Sequence, residues 1–179
     1  MGNLKNLRCY FSHPIENQQD PGPIARDRDL LADFLKKKSS FFIDPRKISL
    51  HGISEVIDKD QIVKEKDFKE LRRQMRIIVR KDLRSVDISD FIVAYLPKDI
   101  KTTGCIHEVI LSDDQKKPTF IVCPEGIEYI PSWLFGLVPL EYMFDSMEDL
   151  IVYLTEIDNA NIETLEDDRW QFIIATLID

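Results

Sequence analysis

Asp82 and Glu108 bracket the stretch KDLRSVDISDFIVAYLPKDIKTTGCIHEV. Carboxyl groups are side chains that readily divide acid, base and nucleophile duties around one reacting centre. The order of residue types brings these two toward one place. Asp82 falls in a polar turn, Phe91 to Leu96 reads as a buried strand, and Pro97 to Thr103 reads as a loop. Thr102, Thr103 and Gly104 then open a helix that carries Glu108. In an open α/β sheet, ligands sit in the crevice outside the carboxyl ends of the strands, and this loop would line it. Asp82 and Glu108 are therefore expected to be catalytic. Each residue also has a plainer role open to it. Asp82 can end a surface helix, Asp90 can bond locally at a strand start, and a carboxylate early on a helix, such as Glu108, is favoured by the helix dipole.

The elements that must position these residues follow from apolar spacing. The segment from Leu4 rises into a strand that stops at Ser12, His13 and Pro14, where proline ends a ladder. Ile24 to Lys38 has helical spacing through Ile24, Leu30, Leu31, Phe34 and Leu35. Phe41 to Ile43 is a short strand closed by Asp44 and Pro45, and Arg46 to Asp67 reads as a long loop or lid with a helical turn in it. Phe68 to Leu83 is an amphipathic helix with a basic, solvated outer face. Beyond the central strand, a helix from Thr103 to Gln115 leads to a strand at Thr119 to Val122, which completes a βαβ unit. A helical turn at Ser132 to Phe135, an edge strand near Glu141 to Phe144, a helix over Met147 to Ile157 and a docked apolar tail from Trp170 to Ile178 finish the chain. The expected fold class is α/β, a single domain over residues 1–179 with a flavodoxin-like or Rossmann-like parallel sheet flanked by helices.

Composition narrows the partners. A net charge of −8 disfavours nucleic acid and anionic membrane as main partners, since either calls for a basic face. Cys9, Cys105 and Cys123 are odd in number and widely spaced, without a CxxC pair or zinc spacing, so neither a disulfide framework nor a metal site is expected. No cofactor is called for. The absence of a long apolar run and of a signal-peptide pattern points to a cytoplasmic protein.

Tyr10-Phe11-Ser12-His13-Pro14, Asp82-Leu83 with Asp90 at the head of the apolar strand, Gly104-x-x-x-Glu108, and Lys117-Pro118 together resemble the nucleoside 2-deoxyribosyltransferase-like superfamily, which includes the 2′-deoxynucleoside 5′-monophosphate N-glycosidases. The resemblance spans roughly residues 8 to 123. It implies a homo-oligomer acting on a nucleoside or nucleotide, with Glu108 attacking the anomeric carbon and Asp82 as helper carboxylate near the base. A carboxylate nucleophile splits N-glycosidic cleavage into two steps, each through an oxocarbenium-like state. By the same resemblance Tyr10 and Phe11 lie near the base pocket, and Tyr10, Ser12, His13 and Asp90 belong to the substrate pocket. Thr102 takes the place where the monophosphate hydrolases carry a phosphate-binding serine and the transferases an aspartate. Thr103 and Gly104 complete an anion cradle at the helix start, and Ser132 supplies a hydroxyl to a neighbouring subunit's site. Helix capping is the alternative for Thr102 and Thr103, and core packing for Phe11 and for the Ser132 turn.

The sequence departs from the family where Pro14 and Glu16 replace the serine and arginine of the monophosphate hydrolases, and where His13 replaces a small residue. Two other readings stay open: a non-catalytic nucleotide sensor or interaction module, and a phosphoribohydrolase or NAD-type glycohydrolase, although the double-glycine loop of the phosphoribohydrolases is missing. His51 and His107 have no recognisable partners.

Overall fold

A computed structural model of the chain describes residues 2–15, 22–48, 59–100, 103–161 and 164–175. Five short apolar runs form one sheet: β1 (Arg8–Ser12), β2 (Phe41–Ile43), β3 (Phe91–Tyr95), β4 (Thr119–Val122) and β5 (Met143–Phe144). All neighbours are parallel and the order is β2-β1-β3-β4-β5. Every residue of β3 and β4 is buried, which is why these strands read as unbroken apolar runs without alternation. The sheet runs to one side of β1 and then to the other, so right-handed crossovers place helices on opposite faces. On one face α1 (Gly22–Lys37) packs against α5 (Met147–Asn159), and on the other α3 (Phe68–Ile88) packs against α4 (Thr103–Asp114). The crossover direction reverses between β1 and β3, and the crevice at their carboxyl ends is the ligand position of this topology.

Several elements differ from their sequence reading, each for a local reason. The inner face of α1 holds Asp27 where the spacing suggested Leu30, because Tyr95 Oη donates to Asp27 Oδ2 at 3.0 Å; Leu30 is partly exposed. α3 does not stop at Leu83. It continues to Ile88 and buries Lys81, Ser85 and Val86, so Asp82 lies within a helix and not in a turn. The region read as a long loop contains α2 (Lys59–Lys64), while residues 49–58, with His51, lie outside the described part. The edge strand is only two residues long because a 3-10 turn at Leu140–Tyr142 occupies its expected start.

The tail docks as α6 (Asp168–Ala175). Trp170 is fully buried against Phe91 and Phe120, with ring centroids 5.4 and 6.0 Å away, and its Nε1 donates to Tyr153 Oη at 3.2 Å. Arg169 ties α6 to α4 by donating to Asp113 at 2.6 Å and to the Lys117 carbonyl at 3.0 Å. Burying an aromatic or aliphatic side chain of this size contributes roughly 1.5–3 kcal/mol, so the docked helix belongs to the core. The 3-10 turn Ser132–Gly136 buries Leu134 but leaves Trp133 74% exposed.

Candidate active site

Alternation along β1 sorts its side chains. Phe11 faces Phe42 and Tyr95 on the α1 side, whereas Tyr10 and Ser12 face α4. Both hydroxyls meet Glu108 in the second turn of α4. Tyr10 Oη donates to Oε1 at 3.1 Å and Ser12 Oγ donates to Oε2, so both carboxyl oxygens are held and the group has a fixed orientation. Glu108 is buried, and burial pushes its pKa up to about 7. The Asp82 charge pushes the same way, and the two hydroxyl donors oppose it.

Asp82 approaches from α3. Burial raises its pKa to about 6 against the pull of neighbouring Lys81 and, more weakly, His13. Its Oδ1 is buried without a hydrogen-bond partner, 3.5 Å from Lys81 Nζ. Lys81 itself donates to the carbonyls of Pro45 at 2.9 Å and Ile48 at 3.3 Å, which pins α3 to the segment after β2. The half-buried Asp82 and the buried Glu108 thus both have raised proton affinity near neutrality, and the Asp82 charge contributes to the rise at Glu108.

His13, at the carboxyl end of β1, extends the cluster toward β2. Its side chain has no exposed surface, and Nδ1 lies 3.0 Å from the Pro14 carbonyl. A carbonyl only accepts, so Nδ1 carries the proton. Nε2 is 3.8 Å from Asp44 Oδ1 and has no hydrogen-bond partner. Asp44 caps the 3-10 turn Pro45–Lys47 by accepting from Arg46 N at 3.0 Å. The guanidinium nitrogens of Arg46 and Arg28 stand 3.5 and 3.8 Å from its carboxylate.

No protein-family model and no curated protein matches the sequence. Solved structures do match it. A 2-deoxyribosyltransferase from Bacillus psychrosaccharolyticus aligns with a TM-score of 0.56 over 88% of this chain and 94% of its own, at 14% identity. A conserved protein from Enterococcus faecalis V583 aligns with a TM-score of 0.57 over 84% of this chain and 98% of its own, at 17% identity. The chain has the nucleoside 2-deoxyribosyltransferase-like fold. A CMP N-glycosidase from Clostridium botulinum aligns more loosely, with a TM-score of 0.48 over 83% of this chain and 98% of its own, at 13% identity.

Within the nucleoside 2-deoxyribosyltransferase-like fold of this chain, Tyr10, Ser12, His13, Asp82 and Glu108 come together at the carboxyl side of β1. Thr103 and Gly104 are exposed at the start of α4, and Thr102 lies outside the described residues. Ser132 is exposed in its 3-10 turn and makes no contact with this cluster among the described residues. Asp90 does not join the cluster. It precedes β3 at the amino end of the sheet, and its carboxylate accepts from Arg8 N at 2.7 Å, Arg8 Nε at 3.1 Å and Arg8 Nη2 at 3.0 Å. Those bonds tie the starts of β1 and β3 together, and they account for the aspartate without a ligand.

Sequence reasoning passed over Lys81 and Asp44. Lys81 was not singled out, yet it sits four residues before buried Ser85 and next to Asp82, on the inner stripe of α3. Asp44 carried no signal beyond closing a strand before proline.

Proposed function

We propose that this chain breaks or exchanges the N-glycosidic bond of a nucleoside or nucleoside 5′-monophosphate. One observation carries the reading: a buried carboxyl group, oriented through both oxygens by Tyr10 and Ser12, stands beside a second, half-buried carboxyl group at the ligand end of a parallel sheet. The fold is also one that a 2-deoxyribosyltransferase uses.

Glu108, as the carboxylate, forms a bond to the anomeric carbon while the bond from that carbon to the base nitrogen breaks. The electron pair leaves with the base, which takes a proton from Asp82. Water, or a second base, then attacks the anomeric carbon and gives its proton to Asp82, and Glu108 departs. Two displacements restore the starting configuration. Tyr10 and Ser12 hold the attacking oxygen in line and carry no proton through the step. Burial keeps the ionised Glu108 poorly solvated, so its charge is readily given up to the sugar carbon.

The test is Glu108→Ala. Base release from nucleosides and monophosphates should fall to the background rate while ligand affinity, read by calorimetry, stays within a few-fold, because the loss falls on transition-state stabilisation and not on uniform binding. Undiminished release would remove Glu108 from the chemistry. Stabilisation of the unmodified protein by nucleotides without any release would make the chain a nucleotide sensor.

A further inference from the structure

Lys81 differs from the other basic residues of its helix. Arg76, Arg80 and Arg84 are exposed, whereas Lys81 is buried. An amine withdrawn from water in its charged form is tolerated only where acceptors surround it. At least three do. The carbonyls of Pro45 and Ile48 accept from Nζ at 2.9 and 3.3 Å, and Asp82 Oδ1 lies 3.5 Å away. An ammonium has three N–H donors and a neutral amine has two, so this number of acceptors calls for the charged form.

The charge is placed where the proposed site lacks one. Asp44 has the guanidinium nitrogens of Arg46 and Arg28 at 3.5 and 3.8 Å. Asp82 has no arginine in an ion pair among the described residues, and Lys81 is the lysine whose charge favours the ionised form of both Asp82 and Glu108. The other titratable groups that face Asp82 are His13 and Tyr10 from β1 and Cys105 and Glu108 from α4. Lys81 itself also faces Glu108 and Asp44.

We infer that Lys81 is a positioning residue for the reaction: its ammonium, held in place by the Pro45 and Ile48 carbonyls, compensates the negative charge that Asp82 takes on as it protonates the departing base. The inference rests on the function proposed above. As the N-glycosidic bond breaks, the proton moves from Asp82 to the base nitrogen, and Asp82 is left as a carboxylate in a site where burial opposes charge. Lys81 keeps its own protons throughout and stabilises that carboxylate. When water or a second base returns a proton to Asp82, the same ammonium is still beside it. Burial alone would make Asp82 a weak acid that holds its proton too firmly. Lys81 opposes that rise and leaves a donor poised near neutrality. The rival role is purely structural, since the two carbonyl bonds also pin α3 to the segment after β2.

The experiment separates charge from anchoring. Lys81→Gln keeps two N–H donors for the two carbonyls and removes the charge, and Lys81→Arg keeps the charge. Base release gives kcat/KM against pH, and the positions of its limbs follow proton affinities and not the folded fraction of the sample. In Lys81→Gln both limbs should move to higher pH, by about one to three units for the group nearest the lost charge, which is the span an opposite charge produces at such a distance. In Lys81→Arg they should stay close to those of the parent. Carbon-13 NMR of the side-chain carboxyl groups, without substrate, should show the same rise at Asp82 and a smaller one at Glu108. If Lys81→Gln does not fold by circular dichroism, nitrogen-15 NMR of the unmodified protein reads Lys81 Nζ directly, and it should be an ammonium at pH 7. Unmoved limbs in Lys81→Gln, limbs moved equally in Lys81→Arg, or a neutral amine at Nζ at pH 7 would each overturn the inference. A raised Asp82 titration in Lys81→Gln, with no base release from the parent at any pH, would instead leave the action of Lys81 on Asp82 standing and remove the glycosidic chemistry.

Discussion

Glu108 and Asp82 titrate over the same stretch, about 7 and about 6, because both are desolvated and the Asp82 charge adds to the rise at Glu108. The activity of such a pair follows its shared protonation states and not either residue alone. Below the lower value both groups are protonated and the nucleophile is silent. Above the higher value no proton is left for the departing base. A plot of kcat/KM against pH should therefore rise and fall around a maximum between about 6 and 7. Asp82→Asn should slow release by roughly 10²–10⁴-fold, least for bases that leave easily, and should move the acid limb to lower pH because one neighbouring charge is gone. Stability carries the same signature with its own sign. Glu108 is raised from 4.5 to about 7, so the native state holds a proton that the unfolded chain releases, and stability falls as pH rises through that window. Glu108→Gln removes the loss. Thermal melts should show the variant more stable than the parent at pH 8, by on the order of 3 kcal/mol, with little difference at pH 4.5.

At the scale of elements, the amino end of the sheet is held by a fastening separate from the site. Asp90→Ala strips Arg8 of a charged partner and leaves the start of β1 without an acceptor for its N–H. Denaturant titration should show a loss of roughly 1.5–3 kcal/mol, the scale of hydrogen bonds to charged groups, with kcat/KM unchanged. An equal loss of turnover would return Asp90 to the site. This residue also shows where sequence reasoning ends. The strands were legible because a sheet covered on both faces demands consecutive apolar residues, and Phe91 to Leu96 or Thr119 to Val122 admit no other buried use. The end of α3 was not, since Arg84 to Ile88 mixes serine, valine and aspartate, residues with modest helix propensity that are helical here through packing. Lys117 supports that extension by donating to the carbonyls of Val86 and Asp87 at the end of α3. Proximity in sequence to a strand start made Asp90 look like a pocket residue, while the direction of the strand places it at the opposite end. Tyr10, Ser12 and Glu108 were legible as a set only through the family resemblance, because nothing in their spacing says that β1 and α4 face each other.

Across the whole molecule, the segment leading into β5 gathers exposed apolar side chains close together in sequence. Trp133 is 74% exposed, Leu140 58% and Phe135 44%, all within a short segment of a chain with net charge −8. Apolar side chains gathered this way mark contact surfaces more often than free surface. Self-association through this segment is the expected outcome: sedimentation at micromolar concentration should give a species heavier than the 20.9 kDa chain, and Trp133→Ser should shift it toward the monomer. A strictly monomeric parent would refute this.

The chain has two tryptophans, and they occupy the extremes of environment: Trp170 has no exposed surface and Trp133 has most of its own. Their emission should separate accordingly. The indole of Trp170, packed among Phe91, Phe120 and Tyr153, should emit at shorter wavelength and resist a neutral quencher such as acrylamide, while that of Trp133 should emit to the red and be quenched first. Trp133→Phe then isolates a reporter of the docked carboxyl-terminal helix, and the difference spectrum isolates a reporter of the apolar surface. Loss of quenching at Trp133 on raising the protein concentration would follow assembly, and a red shift of Trp170 on adding denaturant would follow unfolding, both without an added dye.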